Sequence, residues 1–208
     1  MPDLHHNFNL RCKSHDYRSH CICMITMLKS AQAPPFSYIW RNPKASQIPP
    51  LVEIYPAGRI IHDCLNRLCI DYCGLRIVCR IVMPDHIHFE LFVTERTEMP
   101  LGSMIADFKS ACSKKFYEDF PQSPLAQKKI PLSQGGFNDK IAFRAGAKDA
   151  FYNYITDNPR RYLVKKLCPD YFFHKLQINL SGIRFLLLMQ GWFSEQASAC
   201  PCNPSNHK

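Results

Sequence analysis

This chain of 208 residues is short of acid: 17 Asp and Glu stand against 26 Lys and Arg, a formal net charge of +9. A deficit of that size points to a polyanionic partner, with nucleic acid the leading class; the plain alternative is a basic protein with a solvated surface. Long apolar runs are missing too. No stretch approaches the roughly 18 residues of a membrane span, and the longest late one covers only residues 185–189. The amino terminus is polar and carries histidines, without the apolar centre of a secretory signal. A reducing, cytoplasmic setting with free thiols is therefore expected for the 11 cysteines. No Cys-x-x-Cys exists, and Cys21-x-Cys23 and Cys200-x-Cys202 are the only close pairs, so a structural zinc site is not expected. There is no Gly-x-x-x-x-Gly-Lys phosphate loop, which suits a reaction that runs without ATP. No internal repeat is visible.

What is present is enough for one domain with a real core plus appendages. Residues 1–18 form a polar arm, and residues 20–28 read as a strand with Cys21 and Cys23 on one face. Residues 31–50 carry Pro34, Pro35, Pro43, Pro49 and Pro50 and read as an insert or loop. Ile60, Ile61, Cys64, Leu65, Leu68, Cys69 and Tyr72 repeat at helical spacing over residues 58–73, which predicts an amphipathic helix that buries Cys64, Cys69 and Cys73. Residues 75–83 and 86–93 read as strands joined by a Pro84-Asp85 turn. A second helix over residues 99–120 is stopped by Pro121; residues 124–136 read as a loop, 137–143 as a short strand, and 148 onward as a last helix. That order predicts an α+β sandwich with an antiparallel sheet.

Residues 82–89 read Val-Met-Pro-Asp-His-Ile-His-Phe, at the head of an apolar run that continues through Leu91, Phe92 and Val93. On a strand, residues two apart point to the same face. His86 and His88 would therefore project together, with Ile87 turned behind them. Two imidazoles side by side on a rigid strand are part of a metal site; the alternative is a histidine pair on a solvated sheet face.

Sixty-six residues after His88 stands a second motif, Tyr154-Ile-Thr-Asp-Asn158-Pro159. Good helix formers precede it, and Pro159 marks an end or a kink. On that helix Asn158 falls one turn after Tyr154 on the same face. The pair suits a nucleophile beside a metal ligand, or else a tyrosine packed at the rim of a core.

Together the Pro-Asp-His-Ile-His strand and the Tyr-Ile-x-x-Asn-Pro helix resemble the single-tyrosine HUH transposases, nearest to the REP-associated tyrosine transposases, over residues 15–168. Gly58-Arg-Ile-Ile and Gly136-Phe-Asn-Asp-Lys-Ile add to the likeness. The resemblance implies a ferredoxin-like or RRM-like sheet with the histidine pair on a central strand. It implies a DNA-nicking and strand-transfer enzyme acting on single-stranded, hairpin-bearing DNA, with Tyr154 as nucleophile and a 5′-phosphotyrosine intermediate. An unperturbed tyrosine, of pKa about 10, is a poor nucleophile at neutral pH. A divalent metal on His86 and His88, Mg²⁺ or Mn²⁺ in this family, is expected to act as the Lewis acid. Paired imidazoles would also take Zn²⁺, Ni²⁺ or Co²⁺. Asn158 holds the position the family motif would use for the third ligand. Glu90 is a rival, since it continues the strand face of His86 and His88, although an ordinary exposed or salt-bridged glutamate is its plainer reading. Asp85 reads as a turn residue, Asp157 as a charge at a helix end, and Tyr152 as packing.

Lys109, Lys114, Lys115, Arg144, Arg160 and Arg161 lie among aromatics such as Phe116, Phe143 and Tyr162. Positive charge interleaved with stacking surfaces suits single-stranded nucleic acid, so these six are candidate DNA contacts. The expected divisions are an arm over 1–18, a catalytic domain over 19–168 with its insert at 31–50, and a tail over 169–208 that departs from the family pattern. That tail keeps alive an alternative, a catalytically decayed single-stranded nucleic-acid-binding protein. A small-phosphoester hydrolase using water is a third reading. Relatives of this kind include homodimers and monomers, which leaves the oligomeric state open.

Overall fold

A computed structural model describes residue 12 and residues 15–41 and 49–167 of the chain. The expected tail, most of the arm, and His5, His6, His174, Cys200 and Cys202 lie outside the described residues. The elements run β1 (Cys21–Leu28), β2 (Ser37–Trp40), β3 (Leu51–Ile54), α1 (Pro56–Asp71), β4 (Leu75–Val82), β5 (His86–Val93), α2 (Leu101–Asp119), α3 (Pro124–Gln127), β6 (Asn138–Ile141) and α4 (Ala147–Leu167). The chain divides into two compact units, residues 1–39 with 52–159 and residues 40–51 with 160–208. The four-stranded sheet and both helices on its back belong to the first.

That sheet has the order β4-β5-β1-β6, and every pairing in it is antiparallel. Leaving aside the β2–β3 pair, the path β1-α1-β4-β5-α2-β6 is a split β-α-β repeated twice, the ferredoxin-like arrangement. The sheet's two interior strands are β5 and β1. The expected α+β architecture is therefore the observed one, with His86 and His88 on an interior strand.

The core lies between the sheet and the two long helices. Cys21, Cys23, Ile25 and Met27 from β1 and Ile87, Phe89, Leu91 and Val93 from β5 meet Ile61, Leu65 and Leu68 of α1 and Met104, Ile105 and Phe108 of α2. The period of two on the strands meets the helical stripe on α1, as the apolar pattern required. None of the three thiols of the expected helical set is fully buried. Cys64 is partly buried against the core, Cys69 is half-buried, and Cys73 is exposed and lies beyond the end of α1. The helix ends before Tyr72, whose backbone is extended, and Gly74, with a φ of +86°, then turns the chain into β4.

β4 also carries a feature that alternation alone hides. The register slips between Ile77 and Cys79, so Leu75 and Ile77 pair with Val93 and Leu91, whereas Cys79 pairs with Glu90. The bulge moves Cys79 onto the face opposite the core.

The proline-rich stretch is more than an insert. Ala33 and Phe36 are buried in the core cluster, and residues 37–40 alternate as strand β2. Pro34 and Pro35 stand before that strand rather than in it, where they remove no ladder bond. Phe36 is pinned on both sides: its N–H donates to Pro84 O at 3.0 Å, and its carbonyl accepts from Tyr55 N at 2.9 Å. α1 starts directly above, with Pro56 in its first turn. The loop expected at residues 124–136 likewise contains a short helix, α3, where Ser123 Oγ accepts from Ala126 N at 3.1 Å.

The close approach of α1 to Phe36 explains Gly58. A Cβ there would lie 2.1 Å from Phe36 O and 2.9 Å from Ile54 Cγ2. The first neighbour is backbone and cannot swing aside. Gly58→Ala should therefore lower stability by about 2–3 kcal/mol through overpacking, despite the better helix propensity of alanine; urea unfolding would measure this, and an unchanged midpoint would show that the contact is soft.

The described end of the arm is fastened to the sheet. Tyr17 Oη donates to Asp139 Oδ2 at 2.6 Å and accepts from Cys12 N at 2.9 Å. Burial, then the Asp139 acceptor, pushes the phenol up to about 12. A folded pKa above the unfolded value of about 10 gives stability that is whole below that pH and is lost as pH rises through the folded value. Tyr17→Phe should thus be less stable than the parent at neutral pH, and the gap should close between about pH 10 and about pH 12 when urea midpoints are compared.

Candidate active site

β5 presents its two faces to different surroundings. Ile87, Phe89, Leu91 and Val93 enter the core, so His86, His88 and Glu90 must face the other way. The two imidazole rings lie edge to face with centroids 4.5 Å apart. His88 is only 5 % exposed and Glu90 0 %.

Tyr154 of α4 reaches this face. Its ring sits edge to face against His88 at 5.2 Å between centroids. The helix is seated by Ile155, which is fully buried, while Asn158, one turn past Tyr154, is 7 % exposed. The structure thus brings together the two motifs that the sequence separates by 66 residues.

One contact and one electrostatic influence mark the course of α4. His88 meets Tyr154, and Glu90 feels the charges of Lys148 and Asp149 in the first turn. Residue numbers rise on the helix as they fall on the strand, so the start of α4 lies toward Glu90 and Tyr154 toward His88. One more turn of helix, about 5.4 Å, and two residues back along the strand, about 6.6 Å, lead to Asn158 and His86 at the same end. Glu90 is at the opposite end. Along the strand it lies about 13 Å from His86, four residues at about 3.3 Å each.

This arrangement bears on the donor set for a divalent metal. Among the described residues no three His, Cys, Asp or Glu side chains gather as a metal site, so Glu90 does not complete one with the histidines. Two imidazoles 4.5 Å apart between centroids and the amide of buried Asn158 one turn past Tyr154 are donor types that suit a divalent ion. Glu90, expected as an exposed or salt-bridged side chain, is instead buried, and its Oε1 has no hydrogen-bond partner. Burial raises its pKa, partly offset by the Cys79 thiol and the Lys148 charge.

Two residues that sequence reasoning set aside or passed over touch the imidazoles directly. Asp85 Oδ1 is 2.6 Å from His86 Nδ1, so Asp85 is more than a turn residue. Thr26 Oγ1 is 2.8 Å from His88 Nδ1, because Thr26 of β1 stands directly opposite His88 in the ladder. The signal for Asp85 was its place before His86; Thr26 could be found only from the register.

Three further expectations are corrected. Of the two readings of Pro159, an end or a kink, the end is excluded: α4 continues to Leu167 with the proline inside it, at the loss of one backbone hydrogen bond to the carbonyl of Ile155. Asp157 is consequently a mid-helix, partly buried residue rather than a terminal charge. Tyr152 is exposed rather than packed, since it lies two residues, or about 200°, from Tyr154 on the helix.

The candidate DNA contacts are scattered. Lys109, Lys114 and Lys115 lie on α2, which packs on the back of the sheet, away from His86 and His88. Lys109 is drawn inward, with Nζ donating to Gln134 O and to Gly136 O, and burial lowers its pKa. Lys115 pairs with Asp119, and Lys114 is exposed. Arg144 is exposed in the loop before α4, and Arg160 and Arg161 are exposed on α4.

With that geometry in hand, the chain is similar to two solved structures. One is a REP-associated tyrosine transposase bound to a REP hairpin, 11% identical, covering 73% of this chain and 73% of that one at a TM-score of 0.49. The other is a candidate transposase from Deinococcus radiodurans R1, 16% identical, covering 70% of this chain and 95% of that one at a TM-score of 0.39. No family model matches the chain, and no curated protein does. No helix among the described residues is long and apolar enough to cross a membrane.

Cys79 offers a check on the packing of this face. Its thiol donates to Glu90 Oε2 at 3.5 Å, and burial first, then the Glu90 charge, pushes it up to about 12. It stays protonated in mild alkali, whereas exposed Cys73 does not share that environment. Iodoacetamide near pH 8 should label Cys73 at least roughly tenfold faster than Cys79; equal rates by mass spectrometry would contradict the burial of this face.

Proposed function

We propose that the chain is a metal-dependent DNA strand-cleaving and strand-transfer enzyme of the transposase kind, with Tyr154 as nucleophile and single-stranded, hairpin-bearing DNA as substrate. The observation that carries this reading is the edge-to-face contact of Tyr154 with His88, itself packed 4.5 Å from His86. The motifs supply the rest of the support, since the Pro-Asp-His-Ile-His strand and the Tyr-Ile-x-x-Asn-Pro helix resemble those of the REP-associated tyrosine transposases.

His86, His88 and Asn158 would hold a divalent ion, Mg²⁺ or Mn²⁺. Bound there, the ion supplies Lewis-acid stabilisation of a scissile phosphate beside the tyrosine. Tyr154 Oη attacks phosphorus, forming an O–P bond to the DNA 5′ side as the bond from phosphorus to the 3′ oxygen breaks. The phenol loses a proton and the departing 3′ oxygen gains one, which balances the step. Because a phosphodiester is exchanged for a phosphodiester, a later 3′-OH can reverse the reaction without ATP. The buried walls around the pair, Ile155 on the helix and Met24 beside Glu90 on the sheet, limit water on this face, which favours return of DNA over hydrolysis of the link. The net charge of +9 suits a DNA partner.

A covalent-trapping assay tests the reading. Labelled single-stranded hairpin DNA, incubated with Mn²⁺ and run on a denaturing gel, should give a shifted band. That band should vanish with EDTA, and in Tyr154→Phe it should fall by at least about 10³-fold, the loss expected when a nucleophile is removed. DNA binding that persists with no adduct under any divalent ion would instead make the chain a single-strand binding protein.

A further inference from the structure

The hydrogen bonds on the far side of both imidazoles decide which ring nitrogen can meet a ligand. An ionised carboxylate only accepts, so Asp85 Oδ1, at 2.6 Å, requires a proton on His86 Nδ1. The lone pair of a neutral His86 then sits on Nε2. His88 meets a hydroxyl, which can donate or accept: Thr26 Oγ1, 2.8 Å from Nδ1. If the hydroxyl donated, the Nε2 of His88 would carry the proton and could not serve as a ligand.

The geometry points to Thr26 and Asp85 as positioning residues that lock His88 and His86 in the Nδ1–H tautomer and so aim two Nε2 lone pairs at one divalent cation. The inference rests on the metal site proposed above. The two devices differ in origin. Asp85 is the neighbour of His86 in the chain and comes with the turn between β4 and β5. Thr26 belongs to β1 and is brought to His88 by an eight-residue register in which Thr26 pairs with His88. Their ring planes stand 72° apart, so each ring needs its own anchor. A wrong tautomer on either would remove one of two imidazole donors.

The test reads the tautomers directly and needs no metal. In ¹⁵N-labelled protein, imidazole ¹⁵N shifts of wild type near pH 8 should report the Nδ1–H tautomer for both histidines. Thr26→Val, isosteric and well suited to a strand, should convert His88 to a mixture, and Asp85→Ala should do so for His86. Each variant should weaken Mn²⁺ binding, read by electron paramagnetic resonance, by about 10- to 100-fold, and Thr26→Ser should recover most of the loss. His88→Ala serves as the reference for a missing ligand. Wild-type Mn²⁺ binding that is lost in His88→Ala but unchanged in Thr26→Val and Asp85→Ala overturns this inference alone, as does an Nε2–H signal for His88 in the wild type. Wild-type protein that takes up no Mn²⁺, or His88→Ala that binds it equally well, overturns the metal site and the inference together.

Discussion

The pleat of β5 is the constraint on which the rest depends. Residues two apart share a face, so sending Ile87, Phe89, Leu91 and Val93 into the core leaves His86, His88 and Glu90 no choice but the opposite side. The four apolar side chains are all almost completely buried, and a slip of one residue would take them out of the core and turn His86, His88 and Glu90 into it. At about 1.5–3 kcal/mol for each side chain buried, register is held by several times the energy of any single contact at the site. The histidines are therefore placed by the hydrophobic core rather than by their own interactions. Those interactions, with Asp85 and Thr26, are left to settle orientation.

An interior strand serves this purpose better than an edge. β5 is hydrogen-bonded on both sides, to β4 and to β1, and each neighbour contributes to the exposed face of the pair. β1 supplies Thr26 opposite His88, and β4 supplies Cys79 opposite Glu90 after its bulge. Without that slip Val78 would stand opposite Glu90, and Cys79 would pair with Phe89 on the core side. The bulge thus lets one strand bury Leu75 at one end and dress the functional face further along.

The sequence made much of this legible, for a definite reason. Wherever a periodic apolar pattern met a clear stop signal, as in α1, α2, β1, β4 and β5, the elements lie where the pattern put them. So do the facing of His86 and His88 and the shared helix face of Tyr154 and Asn158, because both follow from period alone. What was not legible depends on partners distant in the chain. Thr26 is an unremarkable threonine until antiparallel pairing sets it across from His88. Phe36 sits among prolines and becomes core only because the backbone of α1 closes over it at Gly58. Pro159 reads as an end or a kink when only local geometry is counted, yet α4 runs on past it, with Ile155, Asn158 and Val164 all buried. The lost hydrogen bond is smaller than the burial it would sacrifice.

Glu90 is the residue that spacing alone leaves ambiguous and on whose surroundings the course of α4 bears. It shares a face with the histidines, which made it a rival third ligand. Along α4, however, Glu90 feels the charge of Lys148 in the first turn, whereas Tyr154, further along, meets His88. At the start of a helix a carboxylate meets the positive end of the peptide dipoles and here the Lys148 charge as well, both of which favour its ionised form against the cost of burial. Among the described residues, the one hydrogen-bond donor to the Glu90 carboxylate is the Cys79 thiol of the neighbouring strand. From Lys148, Tyr154 and Asn158 follow at about two and three turns along one helix, and their reach to the histidine pair depends on where the helix is anchored. The same strand thus carries the histidine pair at its beginning and a buried carboxylate at its centre.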